Sequence, residues 1–277
     1  MMAGPVDLHL HSNQSDGADP PADVVARAAH LHLSAIALTD HDAVSGLCEA
    51  RDVAHRCGLD FLDGVEISAS FARHEVHVVG LGIRQESQVL ADMLGRLQRA
   101  RNDRAEQIAR RLGEAGVPLD MTRVRAGAGG KSIGRLHIAR EMHAVGVVKT
   151  VQKAFTQYIG KGRCAYVPKQ CVPCFEAIEV IHAAGGLAFV AHPGIGKDTQ
   201  RLLPQLLALP FDGIEVYHTK HSAGQVEVFL RMATERGLLI SGGSDCHGAS
   251  LQNPAQMGKV LLPRGHFERI TEALERD

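Results

Sequence analysis

The stretch Val6-Asp7-Leu8-His9-Leu10-His11 decides how the chain is read. Apolar and polar residues alternate with period two, so it forms a strand with Leu8 and Leu10 on one face and His9 and His11 on the other. Two imidazoles about 7 Å apart at Cα on one strand face can share a single cation. H-x-H alone fits an exposed polar strand face equally well, and the rest of the chain has to decide between them.

Moving outward, short apolar runs alternate with helical patterns. Asp23 to His32 is helical, Ser34–Thr39 (SAIALT) is a strand, and Val44 to Arg56 is a helix. Phe61–Val65 and Val76–Ile83 are strands. Further on come a helix at Phe175–Ala184, a strand at Leu187–Ala191 and a helix at Gln200–Leu207. A strand at Gly213–Tyr217, a helix at Ala223–Arg236 and a strand at Leu238–Ser241 complete the series. This rhythm predicts a parallel sheet with helical crossovers, and about seven strands suit barrel-like closure. Residues 1–84 and 165–277 would form the barrel. Residues 85–164 interrupt it. Val89, Leu90, Met93, Leu94, Leu97, Ile108 and Leu112 recur at helical spacing, so a long helix starts near Glu86 and Pro118 ends it. A loop at Gly127-Ala128-Gly129-Gly130 and short helices at His137–Val145 and Val151–Tyr158 follow, which makes a mostly helical insertion.

The strands carry chemistry at their ends. Asp16-Gly17 follows the first strand. Thr39-Asp40-His41-Asp42 closes the second and Gly64-Val65-Glu66 the third, and His77 lies on the fourth. Ala191-His192-Pro193-Gly194 and Ser244-Asp245-Cys246-His247 close later ones. Metal-ligating residue types in phase with the βα rhythm collect at the strand C-termini, where barrel enzymes build their sites. Strand alternation turns Cys246 away from its neighbours and into packing.

Composition bounds the alternatives. In 277 residues, 45% hydrophobic and 22% charged, a large core is available and wholesale disorder is excluded. A net charge of −1 gives no global drive towards nucleic acid or acidic membranes. With 4% aromatics and no Trp, an extended base-stacking surface lacks material. There is no run of 18 apolar residues and no secretory leader pattern, so a cytoplasmic protein without a membrane span or obligate protein partner is expected. Cys171 and Cys174 form a lone C-x-x-C, read as two thiols because no second pair stands at zinc-site spacing.

The pieces DLHLHS…SDG, LTDHD, GVEIS, HEVHVVGLG, AHPG and GSDCHG, from Asp7 to His247, resemble the PHP (polymerase and histidinol phosphatase) family of metal-dependent phosphoesterases. The resemblance implies an α/β fold, a distorted (β/α)7 barrel with the helical insertion as substrate cap, and two to three divalent ions. Carried over residue by residue, it implies His9, His11, Glu66 and Asp245 around one ion. Glu66, His77 and His192 would hold a second, with Glu66 bridging. Asp16, His41 and His247 would hold a third, where many relatives have His in place of Asp16. Mixed imidazole and carboxylate donors suit Mn²⁺, Fe²⁺ or Zn²⁺, and the resemblance favours Mn²⁺.

Ile133-Gly134-Arg135-Leu136-His137-Ile138-Ala139-Arg140 resembles a segment of the branch acting on nucleoside 3′,5′-bisphosphates and short RNA. On this reading Arg135 and Arg140 grip phosphate as bidentate donors, and His137 donates to phosphate or protonates the leaving oxygen. Lys169 and His218, beside barrel strands, are further substrate-binding candidates. The expected reaction is pAp to AMP and phosphate, with short 5′-phosphorylated single-stranded RNA as a related substrate. A histidinol-phosphate-type phosphatase and a non-catalytic module are the alternatives. Arg96, Arg99, Arg101, Arg104, Arg110 and Arg111 read as a solvated helix face rather than a guide for RNA.

Overall fold

The computed structural model describes residues 4–128, 132–248, 256–260 and 262–276. Strand β1 (Val6–Leu10) pairs in parallel with β2 (Ala35–Leu38), and β2 with β3 (Asp60–Phe71). The helices between them are α1 (Pro21–His30) and α2 (Leu47–Cys57). Gly58 ends α2 with φ 68°, a left-handed conformation that glycine adopts without a Cβ penalty.

The expected all-parallel order fails at the next step. β4 (His74–Leu81) returns antiparallel to β3, with Ser68 opposite His77 and Phe71 opposite His74. Two residues, Ala72 (φ 47°) and Arg73 (φ 65°), make the turn. A two-residue hairpin needs this left-handed pair and usually signals itself by Asn-Gly; Ala-Arg gives no such cue. β4 also runs antiparallel to its other neighbour, β6 (Leu187–Val190), after a two-residue β5 (Val172–Pro173) on β3. β7 (Gly213–His218) and β8 (Leu239–Gly243) follow in parallel. The sheet closes where β1 meets the chain after β8: Asp245 N–H donates to His9 O at 3.0 Å and His11 N–H to Cys246 O at 3.1 Å. The junction is tight, since a Cβ on Gly243 would lie 2.3 Å from that of His9.

Between β4 and β5 stand α3 (Gln88–Glu114), α4 (Met121–Gly127), α5 (Arg135–Ala144) and α6 (Val151–Ala154), the last continuing as a π-helical turn over Phe155–Ile159. Gly129 and Gly130 of the expected loop lie outside the described residues. The barrel strands and their flanking helices share one hydrophobic core, which takes in the first half of α3 through Leu90, Met93, Leu94 and Leu97. The second half of α3, through Ala105, Ile108 and Leu112, packs with Val124, Ile138, Met142, Ile159 and Val167 in a separate core. The remaining helices are α7 (Cys174–Ala183), α8 (Lys197–Leu206), α9 (Ala223–Arg236) and α10 (Arg264–Leu274), the last unforeseen in sequence.

Candidate metal centre

Glu66, fully buried on β3, is the hub. Its Oε2 lies 2.8 Å from His41 Nδ1, 3.3 Å from His11 Nε2 and 3.4 Å from His9 Nε2. Its Oε1 lies 2.7 Å from His77 Nδ1 and 2.9 Å from His192 Nε2. Burial alone would raise the Glu66 pKa, but His41, His77 and His9 outweigh it and hold the carboxyl well below its ordinary range. The antiparallel β4 matters here. His77, in the N-terminal half of this strand, reaches the donor cluster that parallel strands reach with their C-termini.

Asp245 lies just past β8 and brings Oδ1 to 3.2 Å from His11 Nε2 and 3.8 Å from His9 Nε2. Asp16 sits in the loop after β1, its Oδ1 3.1 Å from His247 Nε2. Donor atoms gather within 4.8 Å of one another in three groups: His9, His11, Glu66 and Asp245; His11, Asp16, His41 and His247; and His41, Glu66 and His77. The first is the set expected from the resemblance. The second adds His11 to the expected trio. In the third, His41 stands where His192 was expected, although His192 still contacts Glu66.

The donor set fits divalent ions on its own chemistry. His9 Nε2, His11 Nε2, His41 Nδ1, Glu66 Oε2 and Asp16 Oδ1 are buried with no hydrogen-bond partner among the described residues. Five converging orphaned atoms of ligand type would be costly without cations to receive them.

The surrounding shell fixes the ligands. Glu215 on β7, not singled out in the sequence, accepts from His9 Nδ1 at 2.9 Å and from the His192 backbone N–H at 2.5 Å. That bond puts the proton on Nδ1 and turns the Nε2 lone pair towards Glu66 and Asp245. Asp40 accepts from Ser12 N–H (2.8 Å), Ser12 Oγ (2.6 Å) and Ser15 Oγ (2.6 Å), pinning the loop that carries Asp16. Asp42, His192 and Asp245 hold left-handed φ values of 52°, 27° and 54°, strain concentrated beside the donor cluster.

A pocket of about 290 Å³ opens against His41, His77 and His247. Four cations line it: Arg101 and Arg104 of α3, Arg135 at the start of α5, and Lys169. The solvated-face reading of the arginine run is therefore corrected at two positions. Arg101 is 9% exposed and donates from Nε to Asp42 Oδ2 at 2.9 Å. Arg104 donates from Nε to Val167 O at 2.9 Å. Burial, and then repulsion from Arg135, pull its pKa down to about 10. Arg135 stands over the Phe155 ring at 5.6 Å, and Lys169 Nζ lies 2.7 Å from Glu75 Oε1 and 3.3 Å from His77 Nε2.

His137 and Arg140 are not among the residues lining this pocket. They line a smaller, separate cavity of about 130 Å³. His137 Nδ1 accepts from Gly134 N–H at 3.0 Å, so the ring caps α5 instead of addressing a leaving oxygen, and Arg140 donates to Asp16 O at 3.3 Å. His218 is buried beside the cluster, 5.6 Å from the His192 ring. Its Nδ1 accepts from Lys220 N–H at 3.1 Å, so Nε2 carries the proton and presents an N–H, 3.6 Å from Asp245 Oδ2.

Residues 7–103 match the model of the PHP domain family. The chain is 40% identical over 272 residues to a 3′,5′-nucleoside bisphosphate phosphatase of Chromobacterium violaceum, covering 96% of this chain and 92% of that one. It is 34% identical to the 5′-3′ exoribonuclease Rnm of Escherichia coli K12, covering 87% of this chain and 84% of the relative. A crystal structure from Bifidobacterium adolescentis, described as a metal-dependent phosphoesterase, superposes with a TM-score of 0.87 at 29% identity, over 97% of this chain and 96% of the other.

Proposed function

The chain belongs to the PHP family of metal-dependent phosphoesterases, and we propose that within it this protein hydrolyses nucleoside 3′,5′-bisphosphates, with one phosphate at the donor cluster and the other held by the cationic pocket. The observation carrying this reading is that pocket: four cationic side chains beside three histidines of the cluster. The donor cluster serves any phosphoester alike, so discrimination falls to groups holding the rest of the substrate. Arg104 and Arg135 offer planar guanidinium donors to a second phosphate. Their mutual repulsion, felt in the lowered Arg104 pKa, is relieved by an anion between them. Histidinol phosphate carries a cation at its far end and gains nothing there. Residues 85–164 act in this reading as a cap, supported by the bond from Arg101 to Asp42, the residue after His41.

The three donor groups would hold two to three ions, and Mn²⁺ is the ion we assign, the oxygen donor at Asp16 favouring a harder cation than a third imidazole would. When bound, such ions polarise phosphoryl oxygens, activate a water near neutral pH and stabilise the leaving oxygen. The chain's own part is orientation. Glu66 spans the groups, Glu215 fixes the His9 tautomer, and His218 turns an N–H towards the cluster.

Activity on pAp, histidinol phosphate and a generic phosphomonoester, with added Mn²⁺, tests the assignment. Arg135→Ala should lower kcat/KM for pAp by roughly 10–100-fold, the loss of one charge-assisted contact, and affect the generic ester far less. Preference for histidinol phosphate over pAp in the unaltered protein would overturn the reading. Among the described residues no helix is long and apolar enough to cross a membrane.

A further inference from the structure

His192 follows β6 with φ 27°, a left-handed value that a residue with a side chain keeps only when its neighbours hold it there. It opens the turn His192-Pro193-Gly194-Ile195, in which Ile195 N–H donates to His192 O at 2.9 Å. Glu215 holds the first residue of this turn through the His192 N–H, and the ring reaches Glu66 Oε1 with Nε2 at 2.9 Å. Gly194 is gripped from another part of the chain. Its N–H donates to His221 Nε2 at 3.1 Å, and its carbonyl accepts from Gln225 Nε2 at 3.3 Å.

Each hold is itself fixed by bonds made between β7 and α9. His221 Nδ1 donates to Val216 O at 2.8 Å, which leaves the lone pair on Nε2, the one tautomer able to accept from Gly194. Burial brings the His221 pKa below the ordinary histidine value, so the ring stays neutral. It packs with its centroid 5.1 Å from those of both His218 and Phe229. Gln225 is the third residue of α9. Its Oε1 accepts from Ser222 N–H at 2.9 Å while Ser222 Oγ accepts from Gln225 N–H at 3.3 Å. This reciprocal cap sets which way the amide faces and turns Nε2 towards Gly194. The approach is close enough to need glycine, since a Cβ on Gly194 would stand 2.6 Å from His221 Cδ2.

We propose that His221 and Gln225 are positioning residues for the donor cluster: by holding the N–H and the carbonyl of Gly194 they fix the His192 ring against Glu66, and so set the affinity for the ion that His192 and Glu66 share. The inference rests on the reading of the cluster as an ion site given above. Neither side chain belongs to a donor group, so their influence reaches the ion only through the turn. That influence is selective. His9 is oriented by Glu215, and the loop carrying Asp16 is pinned by Asp40, so the donors on that side of Glu66 do not depend on the Gly194 clamp.

Titration of the full chain with Mn²⁺, followed by the paramagnetic resonance signal of the free ion, separates the binding steps. His221→Phe keeps a ring but loses both hydrogen bonds. It should weaken one Mn²⁺ step about tenfold and leave the others within about twofold. His221→Gln retains an acceptor for the Gly194 N–H and should recover most of that loss, while Gln225→Leu should weaken the same step. A cycle with His192→Ala separates positioning from a merely structural role. In that background His221→Phe should change Mn²⁺ binding no further, because the residue it acts through is gone. If His221→Phe fails to fold by circular dichroism, the cycle of Gln225→Leu with His192→Ala reads the same coupling. Additive losses in the cycle would overturn the proposal, as would a loss spread over every step or Mn²⁺ binding unchanged in the folded variants. An unaltered chain that binds no Mn²⁺ would instead refute the reading of the cluster.

Discussion

Glu215 is the residue that sequence reading passed over. In Gly213-Ile214-Glu215-Val216 it stands inside an otherwise apolar strand, and its 2% exposure leaves the carboxylate dependent on His9 Nδ1 and the His192 N–H. The signal was present: a charge inside a buried strand demands a partner. The partner was not legible, because it lies 206 positions away. Glu215→Gln keeps the size and an acceptor but loses the charge that makes His9 a strong donor. We expect an apparent Mn²⁺ affinity about 10–100-fold weaker in competition with a chromophoric chelator, with circular dichroism unchanged. Unchanged affinity would assign Glu215 to packing alone. His9, His11, Glu66 and Asp245, by contrast, could be named in advance because each stands in a recognisable short motif within or just after a strand.

At the scale of elements, α3 shows why the arginine run misled. Leu90, Met93, Leu94, Leu97, Ala105, Ile108 and Leu112 form its buried stripe, and Arg101 falls on that stripe, four residues after Leu97 and seven before Ile108. Counted with the apolar residues, it was already on the inner face. An arginine in such a run ordinarily belongs on the solvated face, which is why residue type and spacing point in opposite directions here. Arg101 offsets the burial of Asp42, whose carboxyl it holds below the ordinary value against the effect of burial. Arg101→Met would strand that carboxylate with only the Ser68 N–H and hydroxyl. Urea unfolding should show a loss of about 3 kcal/mol, the lower end for breaking a buried pair, with part recovered by adding Asp42→Asn. No loss would mean that Ser68 alone satisfies Asp42. The β3–β4 hairpin was hidden for a different reason. Its turn carries none of the residues that advertise one, so strand direction had no local signature.

For the whole molecule, barrel class and strand order up to β3 followed from periodicity, whereas closure depends on one close approach. Gly243 passes His9 so tightly that Gly243→Ala must displace β1 or β8. We expect a stability loss of about 1–3 kcal/mol by thermal unfolding and a weaker hold on metal, since His9 and Asp245 flank the contact. A variant as stable and as metal-loaded as the parent would show that the junction yields freely. The same closure has a consequence during biosynthesis. The donors around Glu66 are spread from His9 to His247, almost the full span of the chain. A ribosome that has completed β1 through β7 has released seven of the nine expected donors, all but Asp245 and His247, yet no arrangement that can close on all three ion positions. The full three-group centre is thereby completed only at the final stage of synthesis, and a prematurely terminated product lacks a donor in two of its three groups.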